Sequence, residues 1–359
     1  MVTDFFEIDF LAVETKKSGD AIAMRYSVAG KETIAVVDGG FASTGEVMVN
    51  FIKENYGNPK KVDYVILTHP DGDHAVGLRS ILNDFEVGEL WMLRPWEYAE
   101  ELIDRFATYN SVDRLRSKLR DVYYNTEALE KIAIEKGIPI KEPFQGAKIG
   151  QFHVLAPSRE RYIDLVVESD KTPEAEPEPA LESLASLFET AKDKIVNFFR
   201  AAWGEEVFSP NDTSRENEMS VVQYAYIAGK RILLTGDAGR EALTEVVAYA
   251  PNIGLQLPGI DKFQVPHHGS RRNVSTDLLD ALLGPRVEQG SKETFTAIVS
   301  SAKADVHHPR KSVKRAMIHR GARLVETEGR TIRIYQNAPE RAGWMAAPTV
   351  PYPDDQEAN

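Results

Sequence analysis

Near the start of the chain, apolar residues gather in three short runs: Phe5–Ala12, Ala21–Val28 and Thr33–Val37, the last leading into Asp38-Gly39-Gly40. Such runs predict β-strands, and Gly30 between the second and third marks a hairpin. From 45 to 56 the spacing becomes helical, with Val47, Val49, Phe51 and Ile52 interleaved with Asn50, Lys53 and Glu54. Val62–Leu67 is largely apolar, as in a buried strand, and ends at Thr68-His69-Pro70. Residues 74–84 read as a helix. This strand–loop–helix order puts a polar loop at the carboxyl end of a strand, where α/β proteins carry their sites.

Residues 97–137 are charged with helical spacing and stop near Gly137-Ile138-Pro139; Phe152–Leu155 is a strand. The stretch from Lys171 to Ala180 is acidic and proline-rich, the composition of a solvated linker. From Leu181 to Ala202, apolar residues including Leu184, Phe188, Ile195, Phe198 and Phe199 form one helical stripe. The stripe predicts a lid or a homodimer contact through residues 181–203. Strands follow at Ser220–Ile227, Arg231–Leu234, Phe263–Val265, Thr294–Val299, Arg323–Val325 and Thr331–Tyr335. The expected organisation is one domain over 1–337, with insertions at about 85–150 and 159–215. Residues 338–359, rich in Pro, Asp and Glu, are expected to fray as a flexible acidic tail.

Composition narrows the chemistry. With 359 residues and no cysteine, the chain has length for a large core but no disulfide or thiolate metal site. No run approaches the roughly 20 apolar residues that cross a bilayer, and the first residues lack a secretory pattern. No membrane partner is expected, and the expected compartment is the cytoplasm. The net charge of −12 argues against an all-over basic surface. The charge is uneven, however: Lys262 to Arg330 holds thirteen Lys/Arg against seven Asp/Glu. A local basic face therefore leaves nucleic acid open as a substrate.

His69-Pro70-Asp71-Gly72-Asp73-His74 packs four metal-ligand side chains into six positions. A helix would scatter them around its axis and a strand would alternate them, so they belong on a loop. Two imidazoles and two carboxylates can hold one or two divalent ions with a position left for water, whose pKa the metal lowers from about 15.7 towards 7. Asp73 alone could be a helix N-cap; the hexapeptide after an apolar strand points to metal.

His-x-Asp-x-Asp-His resembles the metallo-β-lactamase signature, in the variant of the metallo-β-lactamase domain of ComEC-type competence (DNA-uptake) proteins. Val36-Val37-Asp38-Gly39-Gly40, Leu233-Leu234-Thr235-Gly236-Asp237, Val265-Pro266-His267-His268-Gly269-Ser270 and His307-His308-Pro309 are similar to further motifs in the same order. The resemblance implies a four-layer αββα sandwich with the metals at one edge between the sheets. It implies His69, Asp71, Asp73, His74, Asp237 and His308 as ligands, and Asp38 as structural support. Asp73, with His267 or His268, would assist catalysis, and the sequence leaves open which histidine faces the site. Ser270, Arg271, Arg272 and Asn217 are candidates for substrate binding. Asn217 stands where zinc members have a histidine, and Asp71 replaces another. That oxygen-richer set favours Mn²⁺ or Mg²⁺ over tight Zn²⁺.

The function expected is metal-dependent hydrolysis by an activated water, first of a phosphodiester in DNA or RNA. A small-molecule hydrolase (cyclic nucleotide, lactone or thioester) is the alternative, and a degenerate scaffold that binds a partner is a third class.

Overall fold

The computed structural model describes residues 3–172 and 198–358. In the first half, β1 (Phe5–Phe10), β2 (Ala21–Val28), β3 (Lys31–Gly39), β4 (Lys61–Ile66), β5 (Glu86–Trp91) and β6 (Ile140–Lys141) lie side by side in chain order. The first three pair antiparallel, and Ala29 (φ 51°) and Gly30 (φ 80°) take the left-handed backbone of the tight β2–β3 turn. From β3 onward the pairing is parallel.

The second sheet starts with β7 (Lys148–Ile149) and β8 (Phe152–Ala156). A short strand, β9 (Phe198–Arg200), lies outside it, and β10 (Val222–Ile227), β11 (Lys230–Leu234), β12 (Lys262–Gln264), β13 (Phe295–Val299) and β14 (Ala322–Glu326) complete it. Strands β11 to β14 are parallel. β15 (Ile332–Gln336) returns to the first sheet as its edge beside β1, and β16 (Asp355–Glu357) pairs with β9.

Alternation along these strands makes the layers. Phe6, Ile8, Phe10, Ile22, Met24, Ile232, Leu234, Ile298 and Val325 fill the space between the sheets. The opposite faces pack on helices: Ala42–Asn55, Leu78–Asp84 and Tyr124–Lys136 on the first sheet, and Arg240–Tyr249, Thr276–Leu283 and Lys311–His319 on the second. The result is the αββα sandwich expected from the sequence. Among the described residues no helix is long and apolar enough to cross a membrane.

Helices between 95 and 122 and at Arg159–Glu168 share a further core of Trp96, Leu102, Phe106, Leu115, Leu119 and Ile163. Two expectations change. The helical stripe at 181–203 mostly falls outside the described residues, but Phe198–Arg200 is a strand, because β16 offers it a ladder that local spacing could not reveal. The far end of the tail is paired: Asp355–Glu357 forms β16. Gln356 and Glu357 are buried, and the Glu357 carboxylate accepts the backbone N–H groups of Lys311 (2.9 Å) and Ser312 (3.0 Å). Those are free donors of a helix's first turn, which an acceptor from elsewhere in the chain can satisfy.

Candidate metal centre

The carboxyl ends of β3, β4, β11 and β12 converge at one edge, and each delivers a polar turn. Asp38 closes β3 in a left-handed conformation (φ 55°). Its Oδ1 accepts the Thr68 N–H at 2.8 Å, and its Oδ2 accepts Thr68 Oγ1 at 2.6 Å and His74 Nδ1 at 2.7 Å. The buried carboxylate thus ties the metal-loop backbone and one imidazole to the first sheet. Close approach needs glycine here: a Cβ on Gly77 would lie 1.9 Å from the Gly39 carbonyl oxygen. Asp237 follows β11, and its N–H bonds to Ser220 Oγ at 3.2 Å.

His267 and His268 follow β12 with φ of 47° and 53°, and Gly269 continues at 84°. Two successive non-glycine residues in the left-handed region are strained, a state that persists where the surroundings over-determine it. The turn aims both rings at Asp237: His267 Nε2 is 3.6 Å and His268 Nε2 3.8 Å from Asp237 Oδ2. His268 is buried, with Nδ1 3.0 Å from the Ser300 carbonyl. His267 is half-buried, with Nδ1 3.0 Å from Asn273 Oδ1 and 3.2 Å from Asn217 Nδ2.

The hydrogen bonds assign the tautomers. His69 Nδ1 faces Thr68 Oγ1 (3.1 Å), which already donates to Asp38; His74 Nδ1 faces Asp38, and His268 Nδ1 faces a carbonyl. Each Nδ1 therefore carries the hydrogen, which leaves each Nε2 with a lone pair. Those three Nε2 atoms, Asp237 Oδ1 and Asp20 Oδ1 are buried without a hydrogen-bond partner. Orphaned buried polar atoms are costly; five in one place call for a missing partner.

The spacing fits a metal ion. His74 Nε2 is 3.4 Å from Asp237 Oδ1, His69 Nε2 3.8 Å from Asp237 Oδ2, and His268 Nε2 3.7 Å from Asp73 Oδ2. Ligands about 2.0–2.2 Å from a tetrahedral ion stand roughly 3.3–3.6 Å apart. His69, His74 and Asp237 form one group of converging donors, Asp73, His74 and His268 a second, and Asp20, Asp237 and His268 a third.

Electrostatics agree. Burial alone would lower His268, but the Asp237 charge and the Asp73 carboxylate 3.7 Å from its Nε2 raise it to about 9. His74 stands well above the ordinary histidine value, because Asp237 and Asp38 outweigh its burial. Burial would raise Asp73 and Asp237, yet the histidines beside them hold both carboxyls low. His69 is pushed down, first by burial and then by His74. The carboxylates demand positive charge, and without a metal the imidazoles take up protons to supply it.

His69, Asp73, His74 and His268 thus come together around Asp237, with Asp38 holding His74 from behind. Asp71 stands aside: its Oδ1 pairs with Lys171 Nζ at 2.6 Å, and its Oδ2 is 4.0 Å from His69 Nε2. His268 is the histidine whose ring nitrogen converges with Asp73, Asp20 and Asp237, and His308 belongs to none of these donor groups among the described residues. The His308 ring stands 5.3 Å from that of His267 and 6.3 Å from that of His268, its Nδ1 lies 3.4 Å from Asp305, and burial pushes the ring down to about 4. Asn217 bonds to Thr213 Oγ1 and touches His267, so it holds a ring. Ser270 is buried, and its Oγ accepts the Arg272 N–H at 3.2 Å. Arg271 donates to the Ala358 carbonyl, and the Arg272 side chain is exposed.

Sequence reading missed Asp20, Lys171 and Asn273. Asp20 is buried beside His74 (4.0 Å) and accepts from Gln264 Nε2 at 2.9 Å. Nothing local marks Asp20, and Lys171 reads as linker.

Residues 23–155 match the sequence model of the metallo-beta-lactamase superfamily. That span runs from within β2 to within β8 and takes in Asp38 and the whole loop from His69 to His74. Asp237 and His268 lie beyond it, on the second sheet, and the two-sheet sandwich with helices on its outer faces is consistent with the metallo-beta-lactamase fold. No curated protein matches the chain. Among solved structures, the hydrolase AbOPH of the beta-lactamase superfamily aligns at 11% identity and TM-score 0.30, over 61% of this chain and 56% of that one. A beta-lactamase domain protein from Burkholderia ambifaria aligns at 14% and TM-score 0.33, over 74% and 70%. CmlA, a diiron beta-hydroxylase from Streptomyces venezuelae, aligns at 11% and TM-score 0.33, over 91% of this chain and 45% of that one. The chain spans about half the length of the first and last of these, and none of the three bears on substrate.

Proposed function

We propose that the protein is a metal-dependent hydrolase of phosphodiester bonds, with a polynucleotide as substrate. The carrying observation is the convergence of three partnerless imidazole Nε2 atoms on a buried, partnerless Asp237 oxygen. Asp73, His74, Asp237 and His268 would hold one divalent ion, with His69 beside them. Three imidazoles make the set richer in nitrogen than the signature suggests, so Zn²⁺ and Mn²⁺ suit it better than Mg²⁺. A bound ion supplies a water of lowered pKa and a Lewis acid at the scissile group.

The chain's own residues do the rest. Asp38 fixes the His74 tautomer and the loop backbone, as outer-shell carboxylates do. His267, half-exposed at the mouth with its Nδ1 held by Asn273, would give the Nε2 proton to the departing oxygen. Lys171 neutralises Asp71, so one ion per chain is the expected loading.

The phosphodiester assignment draws on the ComEC-type resemblance and on charge at the rim. Ser18 Oγ donates to Asp305 at 2.8 Å, and the Asp20 N–H donates to the Asp73 carbonyl at 3.2 Å, so the loops 14–20 and 300–310 flank the metal loop. Lys16, Lys17 and Lys303 on these loops are exposed, as is Arg272. A polyanion needs such a local track in an acidic protein. One finding favours the small-molecule alternative: Lys311 pairs with Asp355 and Lys314 with Glu326, which removes two cations from the track.

The two readings part on salt. Log affinity for a polynucleotide should fall linearly with log salt, by about 0.7–0.9 per phosphate contacted. The Mn²⁺-loaded protein is incubated with DNA, RNA and bis(p-nitrophenyl) phosphate across a salt series. Polynucleotide cleavage that weakens steeply with salt, and less steeply in Lys16→Ala/Lys17→Ala/Arg272→Ala, is the expected result. Intact polynucleotides with salt-insensitive ester hydrolysis would transfer the assignment to small substrates.

A further inference from the structure

A second feature lies along the open edge of the sandwich, where β14 borders one sheet and β15 the other. There a cavity of about 810 Å³ runs between the edges, with the segment 341–348 beside it. It shares no residue with the metal centre. Its size lies within the roughly 300–1,000 Å³ range of small-ligand sites.

The lining breaks the pattern of the sheet that makes it. Lys262 on β12, Thr296 on β13 and Arg323 on β14 stand in register across three parallel strands. Their strand neighbours Phe263, Ala297 and Leu324 belong to the helix-side core, and Ile298 and Val325, two residues on from Thr296 and Arg323, belong to the layer between the sheets. By alternation the row Lys262–Thr296–Arg323 therefore points between the sheets, into a layer filled elsewhere chiefly by apolar side chains.

Among the described residues no acid forms an ion pair with Lys262 or Arg323, although Glu340 lines the same cavity. Of the other arginines of the lining, Arg333 and Arg341 are taken up by Glu7 and Asp9 at 2.5–2.8 Å, and Arg330 is exposed. Asp261 is engaged by Arg231 at 3.1 Å. Lys262 Nζ donates to Thr296 Oγ1 (3.0 Å) and Arg323 to the Ala347 carbonyl (2.9 Å); neither makes an ion pair within 4.0 Å among the described residues. Burial, and then the neighbouring Lys230, hold the Lys262 ammonium below its ordinary value; Asp261 opposes them and Arg323 adds to them. Removing charge from water without a counter-charge is costly. Val325, Ile332, Ile334, Trp344 and Ala347 supply an apolar wall beside the row.

We propose that this cavity binds a small organic anion, with its carboxylate or phosphate between Lys262 and Arg323 and an apolar body against Trp344 and Ile334. An acyl carboxylate and an aromatic phosphate such as a nucleotide share this chemistry.

The test titrates the metal-loaded protein with 8-anilinonaphthalene-1-sulfonate and displaces the dye with AMP in one arm and decanoate in the other. Saturable binding, displaced in one arm or both, is expected, and the effective arm names the source of the anion. Lys262→Gln/Arg323→Gln should weaken dye binding at least tenfold. Met345→Glu, at a position 91% exposed, puts a negative charge at the cavity without threatening the fold and should weaken binding too. Asp237→Asn, which disables the metal centre, should leave the dye affinity unchanged. Absence of saturable binding, affinity unchanged in Met345→Glu or in a folded double variant, or loss of binding in Asp237→Asn would overturn the proposal.

Discussion

At the scale of single residues, proton and metal compete for the same atoms. His268 titrates at about 9 in the metal-free fold, above the ordinary value of about 6.5. A raised value means that the protonated ring stabilises the fold: the contribution is complete below about pH 6.5 and is lost as pH rises through 9. The low Asp73 and Asp237 carboxyls act the other way, contributing above the ordinary carboxylate range and losing the contribution in acid. The melting temperature of metal-free protein should therefore fall between pH 6.5 and 9, and the fall should be smaller in His268→Gln. Metal affinity should rise over the same window, because the ion must displace the His268 proton. A metal-free melting temperature that is flat across this range would contradict the charge balance assigned to the site. Residue scale is also where the sequence was least legible. The loop from His69 to His74 announces itself because its ligands are neighbours. The choice of His268 over His308 depends on two left-handed residues after β12, and Asp20 and Lys171 arrive from segments with no motif.

At the scale of elements, strands with long apolar runs and a glycine turn were readable; β2 runs over Ala21–Val28 as its apolar run predicts. β5 was not, because Glu86-Val87-Gly88-Glu89-Leu90-Trp91 is short and sits between helical segments. The β9–β16 pair joins residues more than 150 positions apart, and no local pattern encodes such a contact. This pair explains how the far end of an acidic, proline-rich tail is held: it carries Glu357 to the first turn of the helix Lys311–His319, and Arg315 of that helix bonds to the Pro353 carbonyl at 2.7 Å. Glu357→Ala should cost about 0.5–2 kcal/mol, the range for loss of a helix cap. Urea unfolding measures it, and a midpoint equal to wild type would mean that the cap contributes nothing.

At the scale of the whole molecule, the sandwich works as a clamp built from two half-sites. The first sheet contributes Asp38 and the loop carrying His69, Asp73 and His74; the second contributes Asp237 and His268. Asp20, from the segment before β2, reaches across to Gln264 on β12 and ties the two sheets at this edge. The superfamily match covers mainly the first half-site, and the second was legible only as motifs whose geometry had to be supplied by the fold. The central claim is that both halves hold one metal, through His268 and not His308. Metal content by inductively coupled plasma mass spectrometry, on wild type, Asp237→Asn, His268→Ala and His308→Ala purified alike, tests it most directly. The account predicts near one ion per chain in wild type and His308→Ala, and a large loss in Asp237→Asn and His268→Ala. Full occupancy in His268→Ala together with loss in His308→Ala would contradict it.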